Sequence, residues 1–349
     1  MVVPGARAQP DPESGHFDGK LFFNPGVGRI DKSFGDLWRW SREEKAVWPE
    51  WVETATGPVV WPSAGRGAAA TFVNHATFVV TFGSGDSGVT ALFDPVWSER
   101  CSPVSFAGPR RVHAPGVPFD SLPRIDVVMV SHNHYDHLDL ATLKRLAARD
   151  APLFLVPLGD GKLLRGAGLA RVEEMDWWQR ASVRGVEITF LPAQHWSARG
   201  LFDRNESLWG SWGVVARDGT AVYHAGDTGY GPHFAEIRAR WRTPDLALLP
   251  IGAYAPRWFM ESAHMDPAQA VQAFHDLGAR RAVGMHFGTF QLTNEPREEP
   301  AALLRTLAAG LDFRVPEPGD GFHVAAERDG SAATGEVTGT LPAPRDSAP

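Results

Sequence analysis

The chain has 349 residues, 43% of them apolar, enough for one large α/β domain or two modest ones with a sizeable core, which excludes disorder of the whole. A net charge of -7, with Lys, Arg, Asp and Glu intermixed, argues against a nucleic-acid binder that works through a general basic field. Cys101 is the single cysteine, so an internal disulfide framework and a thiolate-built metal site are excluded, and any metal must sit on His and carboxylates.

Residues 1–69 read as a tail followed by a cover segment. The first 18 are rich in Pro, Gly and Ser and lack an apolar leader core, while residues 34–61 carry five Trp and a helix expected before Pro49. From residue 70 onward strands and helices alternate. Residues 71–82, 90–93 and 125–130 read as strands. A helix follows from Asp139 as N-cap, with Leu140, Leu143, Leu146 and Ala147 on one face. Residues 153–157 and 186–191 read as strands, and 212–216 and 221–225 as a hairpin across Asp218-Gly219. Residues 246–250 and 281–286 close the strand series. Between them Asp266, Pro267, Ala270, Val271, Phe274 and Gly278 spell a helix from cap to stop. Residues 70–324 are thus the working domain and 325–349 a disordered tail. No apolar run reaches 18 residues, so the expected location is cytoplasmic, with any membrane association peripheral.

Directly after the strand at 125–130 stands His132-Asn133-His134-Tyr135-Asp136-His137. Alternate residues of an extended loop project to one side, so His132 and His134 can grip one ion while Asp136 and His137 turn to another. A two-metal site needs more ligands, expected at later strand ends where an open site collects side chains. Three candidates stand there: His195 after 186–191, Asp227 in Gly226-Asp227-Thr228-Gly229, and His286 at the end of 281–286. Singly, each reads first as an ordinary structural residue, a hydrogen-bonded strand-end His or a turn-forming Asp. Their joint placement points to metal, against the plainer alternatives of a His-rich turn or a closed structural zinc.

This order resembles the metallo-β-lactamase superfamily over residues 70–324, which implies an αββα sandwich: two mixed sheets with helices on the outer faces. Asp94-Pro95, Asp176-Trp177-Trp178, Leu208-Trp209-Gly210-Ser211-Trp212 and Pro256-Arg257-Trp258-Phe259-Met260 resemble, more narrowly, the N-acyl-phosphatidylethanolamine-hydrolysing phospholipase D family. The resemblance implies two Zn2+, with Mn or Fe as alternatives. His132, His134 and His195 would hold one, Asp136, His137 and His286 the other, and Asp227 would bridge. It also implies catalytic roles for Asp136, His264 and Tyr135; helix capping competes with that role at His264, and packing at Tyr135. Asn74 departs from the Gly that the family carries before its His.

The implied reaction is hydrolysis of a phosphodiester, of phospholipase D type, on a small-molecule or lipid substrate, with transient contact to a membrane surface and no nucleic-acid partner. A lactonase or other acyl hydrolase is the competing reading, and a non-catalytic metal-binding domain the third. A wide groove lined by Trp196, Trp209, Trp258 and Phe259 would favour a lipid. Oligomeric state is not readable from the sequence.

Overall fold

The computed structural model describes residues 15–85 and 88–324. Within them the strands form two seven-stranded sheets. The first takes β1 (Ala68–Asn74), β2 (Thr77–Phe82), β3 (Val89–Phe93), β4 (Val127–Met129), β5 (Leu153–Pro157) and β6 (Val172–Met175) in sequence order. The second takes β7 (Arg180–Val183), β8 (Val186–Leu191), β9 (Ser211–Val215), β10 (Ala221–His224), β11 (Leu246–Pro250), β12 (Arg281–Met285) and β13 (Phe313–Arg314). Finally β14 (Gly321–Val324) returns to pair with β1. Both sheets are mixed: β1 to β3 and β7 to β10 run antiparallel, β3 to β6 and β10 to β13 parallel.

Each sheet is covered on both faces, which is why its central strands read as unbroken apolar runs. In β2, Phe78, Val80 and Phe82 face the layer between the sheets, while Val79 joins Leu92, Val128, Leu143 and Leu146 on the outer side. Of the helices, α1 (Phe34–Ser41) precedes the sheets, and α2 (Leu140–Asp150) and α3 (Gly161–Gly166) cover the first sheet. On the second side stand α4 (His233–Arg240), the single-turn α5 (Arg257–Met260), α6 (Pro267–Leu277) and α7 (Glu299–Leu307); α6 packs on β11 and against α4 and α7. The architecture is an αββα sandwich.

The caps at Asp139 and Asp266 start α2 and α6 where the sequence predicts, and Gly278 stops α6 at a left-handed φ of 66°. The run 71–82, expected as one strand, is two. The chain reverses at His75-Ala76, where His75 takes φ 47°, and since β1, β2 and the turn between them are all buried, no glycine, proline or exposed residue marks the break. The helix expected before Pro49 is α1, which carries a capping box of Ser33 and Asp36 and ends at Ser41. Trp40 stacks on Phe259 at 5.1 Å, and Trp48 donates to the Glu295 carbonyl at 2.9 Å. The expected N-terminal tail is already structured at His16, which is buried, stacks on Trp177 at 4.2 Å and reaches Asp176 at 2.7 Å. Residues 1–14 and 325–349, the rest of the two expected tails, lie outside the described residues. No described helix is long and apolar enough to cross a membrane.

Candidate metal centre

One end of the sandwich collects the loops that follow β4, β8, β10 and β12, together with the β1–β2 turn. Asp94, at φ 41° just past β3, ties the first loop down. Its Oδ1 accepts the Ser131 N–H and its Oδ2 the Ser131 hydroxyl, both at 2.7 Å, and Oδ2 also accepts His137 Nδ1–H at 2.7 Å. With the Ser131 proton spent on Asp94, its oxygen accepts His132 Nδ1–H at 3.0 Å. His195 donates Nδ1–H to the Ala263 carbonyl at 3.0 Å. Its backbone is clamped by Asn24, which accepts its N–H at 3.0 Å and donates to its carbonyl at 2.9 Å. For His132, His137 and His195 the remaining ring nitrogen, Nε2, is thereby turned inward.

Gly226 brings the Asp227 loop against the His132 loop. At φ 59°, a Cβ there would lie 2.6 Å from Ser131 Cβ and 2.9 Å from the Gly210 carbonyl oxygen. Gly226→Ala is expected to lower stability by about 2 kcal/mol or more, through strain and overpacking, and to weaken metal retention by spreading the two loops. Urea unfolding followed by metal analysis checks both.

The inward nitrogens converge. His132 Nε2 and His195 Nε2 lie 2.8 and 3.3 Å from His134 Nδ1, and each lies 3.8 Å from Asp227 Oδ2. On the other side, His137 Nε2 and His286 Nε2 lie 3.4 and 3.3 Å from Asp136 Oδ2, and 3.3 and 3.0 Å from Asp227 Oδ1. Asp227 therefore offers one oxygen to each group. His264 joins from the half-open side, its Nδ1 3.9 Å from Asp227 Oδ2.

Burial holds His132 and His195 well below the ordinary imidazole range, neighbouring imidazoles adding to the effect, and takes His134 down to about 4. Burial also opposes charge on His137 and His286, but Asp227 and Asp136 outweigh it. They raise His137 well above its usual value and His286 to about 9. Against the same desolvation, the His137 charge and the hydrogen bonds of His137 and His286 keep Asp136 and Asp227 ionised far below the usual carboxylate range.

The first group thus gathers three imidazoles held neutral by burial, with the inward Nε2 lone pairs of His132 and His195 open to a shared cation. The second balances two carboxylates with protons that a metal would replace. Two sets, His132–His134–His195–Asp227 and His75–Asp136–His137–His286, place their ligand atoms within 4.8 Å of one another, as do Asp227, His264 and His286. Three-nitrogen-plus-oxygen sets without sulfur suit a divalent cation such as zinc.

The structure brings His132, His134, Asp136, His137, His195, Asp227, His264 and His286 into one cluster. Tyr135 stands apart from it: its hydroxyl donates to the Arg199 carbonyl at 2.8 Å and its ring lies under the Arg199 guanidinium. Of the four aromatics expected in a groove, Trp209 and Phe259 are buried in the fold, while Trp196 and Trp258 stay half-exposed and Trp196 packs on His134 at 4.2 Å. Sequence reasoning gave no role to His75. The available signal was a buried-strand His immediately before an expected strand's midpoint, with no partner nearby in sequence.

Paired imidazole and carboxylate groups at the open end of an αββα sandwich define a metal-dependent hydrolase. Residues 90–287 match the model of the beta-lactamase superfamily domain. The chain belongs to the metallo-β-lactamase superfamily. An uncharacterized protein of Mycobacterium tuberculosis is 41% identical over 275 residues, spanning 75% of this chain and 71% of that one. N-acyl-phosphatidylethanolamine-hydrolyzing phospholipase D 1 of Caenorhabditis elegans is 38% identical over 253 residues, 69% of this chain and 70% of that protein. Among solved structures, a metallo hydrolase from the archaeon Ignicoccus hospitalis matches with a TM-score of 0.54 at 25% identity, over 73% of this chain and 97% of that chain.

Proposed function

We propose that this is a two-metal, zinc-type hydrolase that cleaves a phosphodiester in the manner of a phospholipase D, on lipids like N-acyl-phosphatidylethanolamine. Residues 70–324 are the hydrolase unit and residues 15–69 its cover. The observation that carries the two-metal reading is the division of the Asp227 oxygens between two imidazole groups. His132, His134 and His195 hold one cation, Asp136, His137 and His286 the other. Bound there, divalent cations supply Lewis-acid polarisation and an activated water near neutral pH.

The chain's own groups orient the reacting ester. His264 Nδ1 is buried without a hydrogen-bond partner beside Asp227, placed to bond a phosphoryl oxygen or the departing alcohol. Tyr135 braces the loop through Arg199, which donates to the Asn133 and Leu138 carbonyls at 2.7 and 2.9 Å. A cavity of about 800 Å³ adjoins this loop, its walls mixing Tyr135, Leu140 and Leu163 with Arg199, Lys162, Asp160, Asp203 and Glu206, room for an amphiphile with both apolar and polar parts. Leu201 and Phe202, 91% and 93% exposed on the loop that lines it, support contact with a membrane surface. The activity named for the Caenorhabditis elegans relative supports the same substrate class.

Turnover of the zinc-loaded protein on an N-acylated phosphatidylethanolamine, a short soluble phosphodiester and a lactone tests this reading. The lipid is expected to lead in kcat/KM by tenfold or more, about 1.4 kcal/mol of transition-state binding from the remote chains. Preference for the lactone would make the protein an acyl hydrolase instead.

A further inference from the structure

His75 lies within ligand distance of Asp136, His137 and His286, yet the proposed assignment of that cation to Asp136, His137 and His286 leaves it without a role. It sits in the β1–β2 turn, 1% exposed, at φ 47°. Its N–H donates to Thr289 Oγ1 at 2.9 Å, and its carbonyl accepts the His286 N–H at 2.8 Å. The turn is therefore fastened to the same loop that delivers His286. The His75 ring lies 4.1 Å from the His286 ring and edge-on to Phe290 at 5.3 Å. Its Nε2 is 2.9 Å from Asp136 Oδ2, and its Nδ1 is buried with no hydrogen-bond partner.

Two roles fit that position, and the orphaned Nδ1 separates them. A neutral imidazole carries one proton. If His75 Nε2 were a metal ligand, the proton would sit on Nδ1, leaving a buried donor without an acceptor at a cost of about 1–3 kcal/mol. If the proton sits on Nε2, it is satisfied by a carboxylate at an ordinary hydrogen-bond distance. What remains unmade is then a lone pair, which proteins tolerate more readily than an orphaned N–H. We infer that His75 is a positioning residue that donates Nε2–H to Asp136 and so fixes the carboxylate toward His137 and His286. The inference rests on the two-metal reading. His75 meets the same Oδ2 that faces His137 and His286 at 3.4 and 3.3 Å, and at 2.9 Å it is the shortest of the three contacts, so its loss removes the firmest hold on that oxygen.

Zinc titration of the parent, His75→Ala and His75→Gln against a competing chelator, with kcat and KM measured on the same samples, tests the role. The parent is expected to take two equivalents. His75→Ala is expected to keep the His132–His134–His195 equivalent at parental affinity and to weaken the other about 10–100-fold. His75→Gln, whose amide N–H can reach the same oxygen, is expected to recover most of that loss. If His75→Ala fails to fold, His75→Phe, which fills the ring volume without a donor, takes its place. Two equivalents at parental affinity in the Ala or Phe variant, no rescue by Gln, or equal weakening of both sites would overturn the positioning role and leave the two-metal reading standing. A parent that takes one equivalent overturns both.

Discussion

Replacing Asp227 by Ala is expected to lower kcat/KM by about four orders of magnitude and to cut bound metal from two equivalents to one or none. The size follows from the carboxylate's double engagement. Its Oδ1 lies 3.3 and 3.0 Å from His137 Nε2 and His286 Nε2, and its Oδ2 lies 3.8 Å from both His132 Nε2 and His195 Nε2. No other side chain of the cluster touches both groups so evenly. Removing it also strips the counter-charge that holds His286 up at about 9, so the buried imidazoles must release protons or repel. Asp227→Asn keeps the shape and one carbonyl oxygen but no charge, so it is expected to preserve folding and still lose metal. Metal analysis beside steady-state kinetics reads both variants, and full turnover in either refutes the shared-carboxylate arrangement.

Chelation is expected to abolish activity, and the refilling that restores it should be coupled to protons. His137 already spends Nδ1–H on Asp94, so the proton that makes it a cation sits on the inward Nε2 where a metal would bind. His286, raised to about 9, is likewise protonated at neutral pH. Uptake at pH 7 is therefore expected to release about two protons, with apparent affinity rising with pH and the His286 share of that rise ending above about 9. Calorimetry in two buffers of different ionisation enthalpy counts them, and zero release contradicts the protonation state derived for the cluster. The metal-free fold carries the opposite dependence. The raised His286 stabilises it fully below pH 6.5, and that contribution fades as pH climbs through 9. Loaded at a thousandfold excess over Kd, the protein gains about 4 kcal/mol.

Long central strands and well-capped helices were legible because local chemistry and tertiary role agree in them. Asp139 and Asp266 cap helices whose apolar faces are buried, and residues 153–157, 246–250 and 281–285 are apolar runs that become inner strands. The unread elements lack that agreement. In β6 two glutamates sit half-buried, β7 alternates exposed and half-exposed residues, and β13 spans two residues, so none shows a strand's signature by itself. The site divides in the same way. His132 to His137 announce themselves by crowding, and His195, Asp227 and His286 by following strands. In the sequence Asp94 stands out only as part of a family run, and nothing beside His75 points to a role for it. What each does depends on a partner 43 or 61 residues away, a relation that spacing does not display.

Asn24 holds the backbone of His195 across 171 residues of chain, and the indole of Trp209 donates to the same Asn24 oxygen. During synthesis, which proceeds from the N-terminus, residue 24 emerges long before either partner and must wait for them. His286 follows still later. The centre joins pieces separated by most of the chain, so it is expected to form after the local elements in folding. Metal captured early by the His132–His137 run would find only part of its cage, so loading is expected to follow folding, which metal addition before and after refolding checks.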